Sequence, residues 1–146
     1  LFRWPARADR AALPWVTYSD PELAQVGPTE AAARAAHGDA VSVLRQPFAG
    51  NDRARADGTT EGLVKIVALR NGRILGASIA GAHAGEQIAL WCLAIARGLK
   101  VGAVAQLLLP YPTLAESGKR AAGAFYEPAL FGERTRRLVR FLRRFG

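Results

Sequence analysis

The stretch "LVKIVALRNGRILGASIAG", Leu63 to Gly81, constrains the fold most. Two runs rich in Val, Ile and Leu flank Asn71-Gly72. Asn-Gly best tolerates the positive φ angles of a type I′ hairpin turn. An antiparallel hairpin is therefore expected from about Gly62 to Ala80. "LPWVTYSD" (13–20) reads as a strand by its aromatic and β-branched content. "AVSVLRQPF" (40–48) reads as another, with Pro47 near its end. Residues 49–62 are polar and rich in Gly and Asp, a loop with room for an edge strand.

Helix signals accumulate later in the chain. Pro28, Glu30 and Gly38 mark a helix over 28–37. "AGEQIALWCLAIARGLK" (84–100) is apolar almost all round its helical wheel, which predicts burial on most faces. "VGAVAQLLL" gives a short helix, and further helices are expected over 113–126 and 132–145. Hairpins first and helices in a block afterwards argue for an α+β fold, an antiparallel β-sheet with helices layered on one face.

The 146 residues, half of them apolar, suit one domain with a core. No apolar run reaches the ~20 residues of a membrane span. The charged start "LFRWPARADR" is no secretory signal, and a first residue other than Met suggests a piece of a longer protein. Residues 1–12 read as a connector from an upstream region, 13–127 as the domain and 128–146 as a basic C-terminal helix. The single cysteine, Cys92, allows no disulfide framework or cysteine-based metal site within one chain and reads as core filler, in keeping with a reducing, cytoplasmic location. His37 fits a helix C-terminus, and His83 precedes a helix, where it could cap or line a cleft. No GxGxxG after a strand, P-loop or C-x-x-C is present, and "GAHAGE" (81–86) has the wrong spacing. No metal site is expected. The residues alone describe an α+β domain that holds no redox cofactor by itself.

Two features stand out for function. In "LLLPYPTLAESGKR" (107–120), Pro110 and Pro112 restrict Tyr111, and Thr113 with Glu116 forms a Thr-x-x-Glu capping box. This reads either as a rigid turn into a capped helix or as a presented phenol with a partner carboxylate. The net charge is +8, and residues 133–146, with six arginines and one glutamate, carry +5 of it. Leu138, Phe141, Leu142 and Phe145 form an apolar stripe there. Protein packing is the default for such a helix; an anionic membrane surface is the second reading, and nucleic acid is disfavoured without a recognition fold.

Three stretches together resemble one family. "PWVTYSDPELAQVGPTEAAARAAHG", "EGLVKIVALRNGRILGASIAGAHAGEQIALWCLAIARGL" and "PYPTLAESGKRAAGAF" are similar, in order and at family spacing, to the C-terminal dimerisation domain of FAD-dependent pyridine nucleotide–disulfide oxidoreductases. The resemblance implies a homodimer and upstream FAD- and NAD(P)H-binding domains, with those cofactors in the full-length parent and none held by this chain alone. It also implies a loop that completes the partner subunit's active site. In the family's His-Pro-Thr-x-x-Glu motif the histidine is the general acid/base for a thiol pair, and the glutamate orients it. Tyr111 falls on the histidine position and Glu116 on the glutamate position; Pro112 and Thr113 match and would lie towards the partner's flavin. Phenol titrates near ~10 and imidazole near ~6.5, so Tyr111 replaces a proton shuttle with a mostly neutral group. Mercuric reductases share the Pro-Tyr turn, which makes the chain mercuric-reductase-like there, but they usually end in a Cys-Cys pair, and this chain ends "RRFG". The alternative from a different class is a free-standing basic peripheral module that binds anionic membrane or nucleic acid through its tail.

Overall fold

A computed structural model describes residues 12–143. Five strands form one sheet: β1 (Pro14–Thr17), β2 (Glu22–Val26), β3 (Val41–Pro47), β4 (Leu63–Leu69) and β5 (Ile74–Gly81). Their spatial order is β1-β2-β5-β4-β3, and every neighbouring pair is antiparallel. The helices are α1 (Glu30–His37), α2 (Asp52–Asp57), α3 (Ala84–Ala96), α4 (Val101–Ala105), α5 (Glu116–Gly123), α6 (Glu127–Leu130) and α7 (Glu133–Leu142). This is the expected α+β architecture.

Alternation along β4 divides the sheet's two faces. Val64, Ile66 and Ala68 point into the main core with Val26, Ile79 and Phe48, and there meet Ile88 and Trp91 of α3, Val101 and Val104 of α4, and Ala121 and Ala122 of α5. Val67 points the other way, to Ala33 of α1 and Val41 of β3. Helices therefore sit on both faces, not on one as expected: α1 covers part of the second face, where Glu30 reaches Arg34, Arg45 and Lys65. Gly118 lets α5 lie close to α3, because a Cβ there would be 3.1 Å from Trp91 Cζ2.

Local expectations shift for identifiable reasons. Thr29, not Pro28, opens α1, its hydroxyl accepting from Ala32 N, so the helix begins at Glu30. The 13–20 strand stops at Thr17; the chain turns through the cis Asp20–Pro21 bond and returns as β2, which sequence reading missed. The 49–62 segment holds α2 and no edge strand: Asn51 caps it and Gly58 ends it in the left-handed region. The Asn71-Gly72 hairpin exists, but Asn71 is not at positive φ. Gly72 N–H bonds to Leu69 C=O, closing a turn over Arg70–Asn71, with Gly72 alone at φ 86. That is the geometry of a three-residue loop with a bulge glycine, a close competitor of type I′. Helix α3 ends at Ala96, where Gly98 turns the chain at φ 61, short of the expected Lys100. The 113–126 helix is regular only over α5 and finishes in a 3₁₀ turn at Ala124–Tyr126. The tail helix is α7; Phe145 of its predicted stripe lies outside the described residues.

Candidate functional site: the Tyr111 loop

The site is assembled by Asn51. β3 closes at Pro47, Phe48 is buried, and one 3₁₀ turn brings Asn51 to the start of α2. Asn51 is only 1% exposed, yet its side chain makes three hydrogen bonds. Its Oδ1 accepts from Ala54 N at 3.0 Å, and its Nδ2 donates to Thr113 O at 3.0 Å and to Ser117 Oγ at 2.9 Å. Buried polar groups are stable only when so satisfied. One side chain thus caps α2, holds the Tyr111 loop and fastens that loop to α5.

This joint places Asp52, the first residue of α2, beside the loop. Tyr111 donates from its hydroxyl to Asp52 Oδ2 at 3.0 Å. Arg120 of α5 approaches the same oxygen at 3.9 Å, and its Nη1 donates to Gly50 O at 2.6 Å. Tyr111 is 69% exposed, and Leu108, three residues earlier, is 97% exposed. The Tyr111–Pro112 peptide bond is cis.

Glu116 turns to the loop's own backbone. Its Oε2 accepts from Thr113 N at 3.3 Å, which is the carboxylate half of a capping box. Thr113 does not complete the other half: its hydroxyl donates to Pro110 O at 3.0 Å. The carboxylate on the phenol is therefore Asp52, not Glu116. Pro112 is exposed and Thr113 half-buried on the same loop. Asp52 was missed because its segment read as loop; the signal was there in Asn51 followed by an acidic first turn, with Gly58 as a stop.

The hydrogen bond to Asp52 raises the Tyr111 pKa above the ordinary phenol value, and the charges of Asp52 and Glu116 and slight desolvation push the same way. Arg120 opposes them. The phenol stays protonated at neutral pH. Burial pushes the Cys92 thiol up, as befits a residue packed against the core.

The other candidate residues assemble nothing comparable. His37 ends α1 before Gly38. His83, at φ 54, precedes α3 without a side-chain cap bond and lines a cleft of about 490 Å³ with Asp20, Glu22, Thr59 and Glu61. That cleft does not fit a dinucleotide diphosphate: three carboxylates line it, and Glu22 Oε2 already accepts from Gly85 N at the start of α3. Among the described residues no cluster of three or more His, Cys, Asp or Glu is arranged to hold a metal. No helix of the described residues is long and apolar enough to cross a membrane.

A five-stranded antiparallel sheet backed by helices thus carries a tyrosine loop that is anchored from α2 and exposed at its tip. The sequence profile of the pyridine nucleotide-disulphide oxidoreductase dimerisation domain matches residues 13–122, and the chain belongs to that family. It is 40% identical over 119 residues to the dihydrolipoyl dehydrogenase of Bacillus subtilis, covering 81% of this chain and 25% of that protein. It is 37% identical over 123 residues to the mitochondrial dihydrolipoyl dehydrogenase of Caenorhabditis elegans, covering 84% and 25%. Among solved structures, LpdA from Mycobacterium tuberculosis superposes with a TM-score of 0.75 at 27% identity, over 82% of this chain and 26% of that one. The Cu(II) complex of the HOCl-induced flavoprotein disulfide reductase RclA from Escherichia coli gives 0.74 at 28%, over 79% and 26%. The chain spans about a quarter of the length of these relatives.

Proposed function

We propose that the chain serves as the interface domain of a flavin-dependent pyridine nucleotide–disulfide oxidoreductase, residues 13–127 forming the domain proper. It pairs with a second copy and extends the Pro110–Thr113 loop into the partner's active site. The observation that carries this is the Tyr111 ring: exposed in the single chain, yet fixed by Asp52 and, through the loop, by buried Asn51. A side chain held in place but left uncovered suits contact with something outside the chain. Exposed Leu93 on α3 and Leu108 beside the loop add apolar surface for pairing. FAD and NAD(P)H belong, on this reading, to upstream domains of the parent; this chain supplies Tyr111 as the contacting residue, Pro112 and Thr113 as the loop that approaches the partner's flavin, and Glu116 as the carboxylate that sets the loop's backbone. It does not turn over by itself. The named relatives are dihydrolipoyl dehydrogenases and disulfide reductases, whereas the mercuric-reductase likeness rests on the Pro-Tyr turn. The electron acceptor is thus proposed only as a thiol or disulfide class.

The test is Tyr111→Phe in the full-length dimer. Loss of one hydroxyl contact should lower turnover by about tenfold, the scale of a single transition-state hydrogen bond. Flavin reduction by the nicotinamide should be unchanged, and so should dimer stability. Unchanged turnover would overturn the contact role and leave the ring as packing for the seam.

One observation favours a peripheral role for the tail in addition. α7 exposes Val139 and Leu142 beside Arg136, Arg137, Arg140 and Arg143, a pattern suited to an anionic lipid surface. Sedimentation with vesicles containing anionic lipid should then be lost at high salt and in a chain ending at Gly132. Equal binding with and without the tail would refute this role.

A further inference from the structure

We infer that Asp52 is a positioning residue that sets the hydrogen-bonding polarity of Tyr111, so that the phenol meets its ligand as a neutral acceptor and selects a ligand that donates, such as a protonated thiol. This deepens, and rests on, the reading of Tyr111 as the contacting residue of the loop.

A phenol has one proton to donate and lone pairs to accept with. Tyr111 commits that proton to Asp52 Oδ2 at 3.0 Å, and the residue is 69% exposed. A ligand arriving from outside therefore meets an acceptor. The backbone that carries the carboxylate is anchored. Asp52 is the first residue of a helix whose cap, Asn51, is itself bonded to Thr113 O and Ser117 Oγ. Arg120 attends the same carboxylate oxygen from α5 and is tied to Gly50 O, the turn just before the helix. Loop, helix and guanidinium thus converge on one carboxylate oxygen.

The surrounding charge has the same consequence. The ionisable groups that act on the phenol are Asp52 from α2, Glu116 from α5 and Arg120 from α5. Two carboxylates outweigh one guanidinium, which disfavours the phenolate. A neutral phenol is a poor ligand for a soft cation, whereas a protonated thiol or another donor finds an oxygen whose own proton is already engaged. Donation from Tyr111 to the Asp52 carboxylate also polarises the phenol oxygen and strengthens it as an acceptor. The arrangement thus differs from a phenol that donates to its substrate, and from a phenolate that binds a metal.

The experiment is an alkaline titration of the chain by NMR with tyrosines labelled at Cζ. Tyr18, Tyr111 and Tyr126 give three signals, and Tyr111→Phe assigns the one of interest. In Asp52→Asn the Tyr111 midpoint should move down while Tyr18 and Tyr126 stay put. A Tyr111 midpoint that does not move overturns the inference. Should the other two tyrosines shift as well, signalling a wider disturbance, Arg120→Gln is read instead: removing the opposing cation should move Tyr111 up, and no movement overturns the inference equally. In the full-length dimer, Asp52→Asn should lower thiol-linked turnover by about tenfold with flavin reduction unaltered. A shifted midpoint with unaltered turnover would leave the Asp52–Tyr111 tie standing and sink the contact role on which it was built; an unshifted midpoint sinks the tie whatever the turnover.

Discussion

The Tyr111 loop and the C-terminal tail both expose apolar side chains, but they do so on opposite physical terms. In the loop, Leu108 and Tyr111 face outward while the backbone beneath them is bonded to a buried side chain from another element, Asn51. In the tail, Leu130, Phe131, Val139 and Leu142 also face outward, and among the described residues local hydrogen bonds shape the helices. Phe131 N–H reaches Glu127 O, Thr135 Oγ1 reaches Ala129 O, and Arg137 pairs with Glu133 one turn away. Exposure with long-range anchoring fixes a side chain's position in space. Exposure with local bonding fixes only a helix, whose face can adapt to a soft surface.

The comparison can be broken at its anchor. Asn51→Ala removes a helix cap and leaves Thr113 O without its partner in a poorly solvated place; a loss of about 3 kcal/mol is expected, from a cap of roughly 1 and two further bonds of about 1 each. Urea unfolding followed by far-UV dichroism measures it, and a loss near zero would show that the loop holds itself. Ser117→Ala should cost less, about 1 kcal/mol, because Asn51 keeps Thr113 O and the cap. The tail is the other arm: ending the chain at Gly132 should leave the urea midpoint unmoved. A clear drop would place α7 on the core and erase the contrast.

Much of the fold was legible because it rests on local chemistry. The β4–β5 runs are rich in Val, Ile and Leu, the Asn71-Gly72 pair marks their turn, and the apolar α3 segment is the helix that carries Trp91 into the core. The candidate site's geometry was half legible. Tyr111, Pro112, Thr113 and Glu116 announced themselves by their proline spacing and capping pattern, since both are properties of consecutive residues. Asp52 and Asn51 did not. They act on residues about sixty positions later, and a six-residue helix in a polar stretch has too few turns to show a period. β2 escaped for a related reason: "ELAQV" is a five-residue strand buried at three consecutive positions, so no alternation shows its type.

The sheet order bears on how two such chains could meet. Among the described residues its outermost strands are β1 and β3. β1 is four residues long and begins with Pro14; β3 ends in Pro47, with charged Arg45 exposed two residues before. Proline has no amide hydrogen to offer a newcomer, and short or charged rims make poor templates for backbone pairing. Growth by adding strand to strand, the route to open-ended filaments, is thereby discouraged at both rims. Any association is left to side-chain surfaces, where a two-fold arrangement would close on itself and keep the number of copies finite.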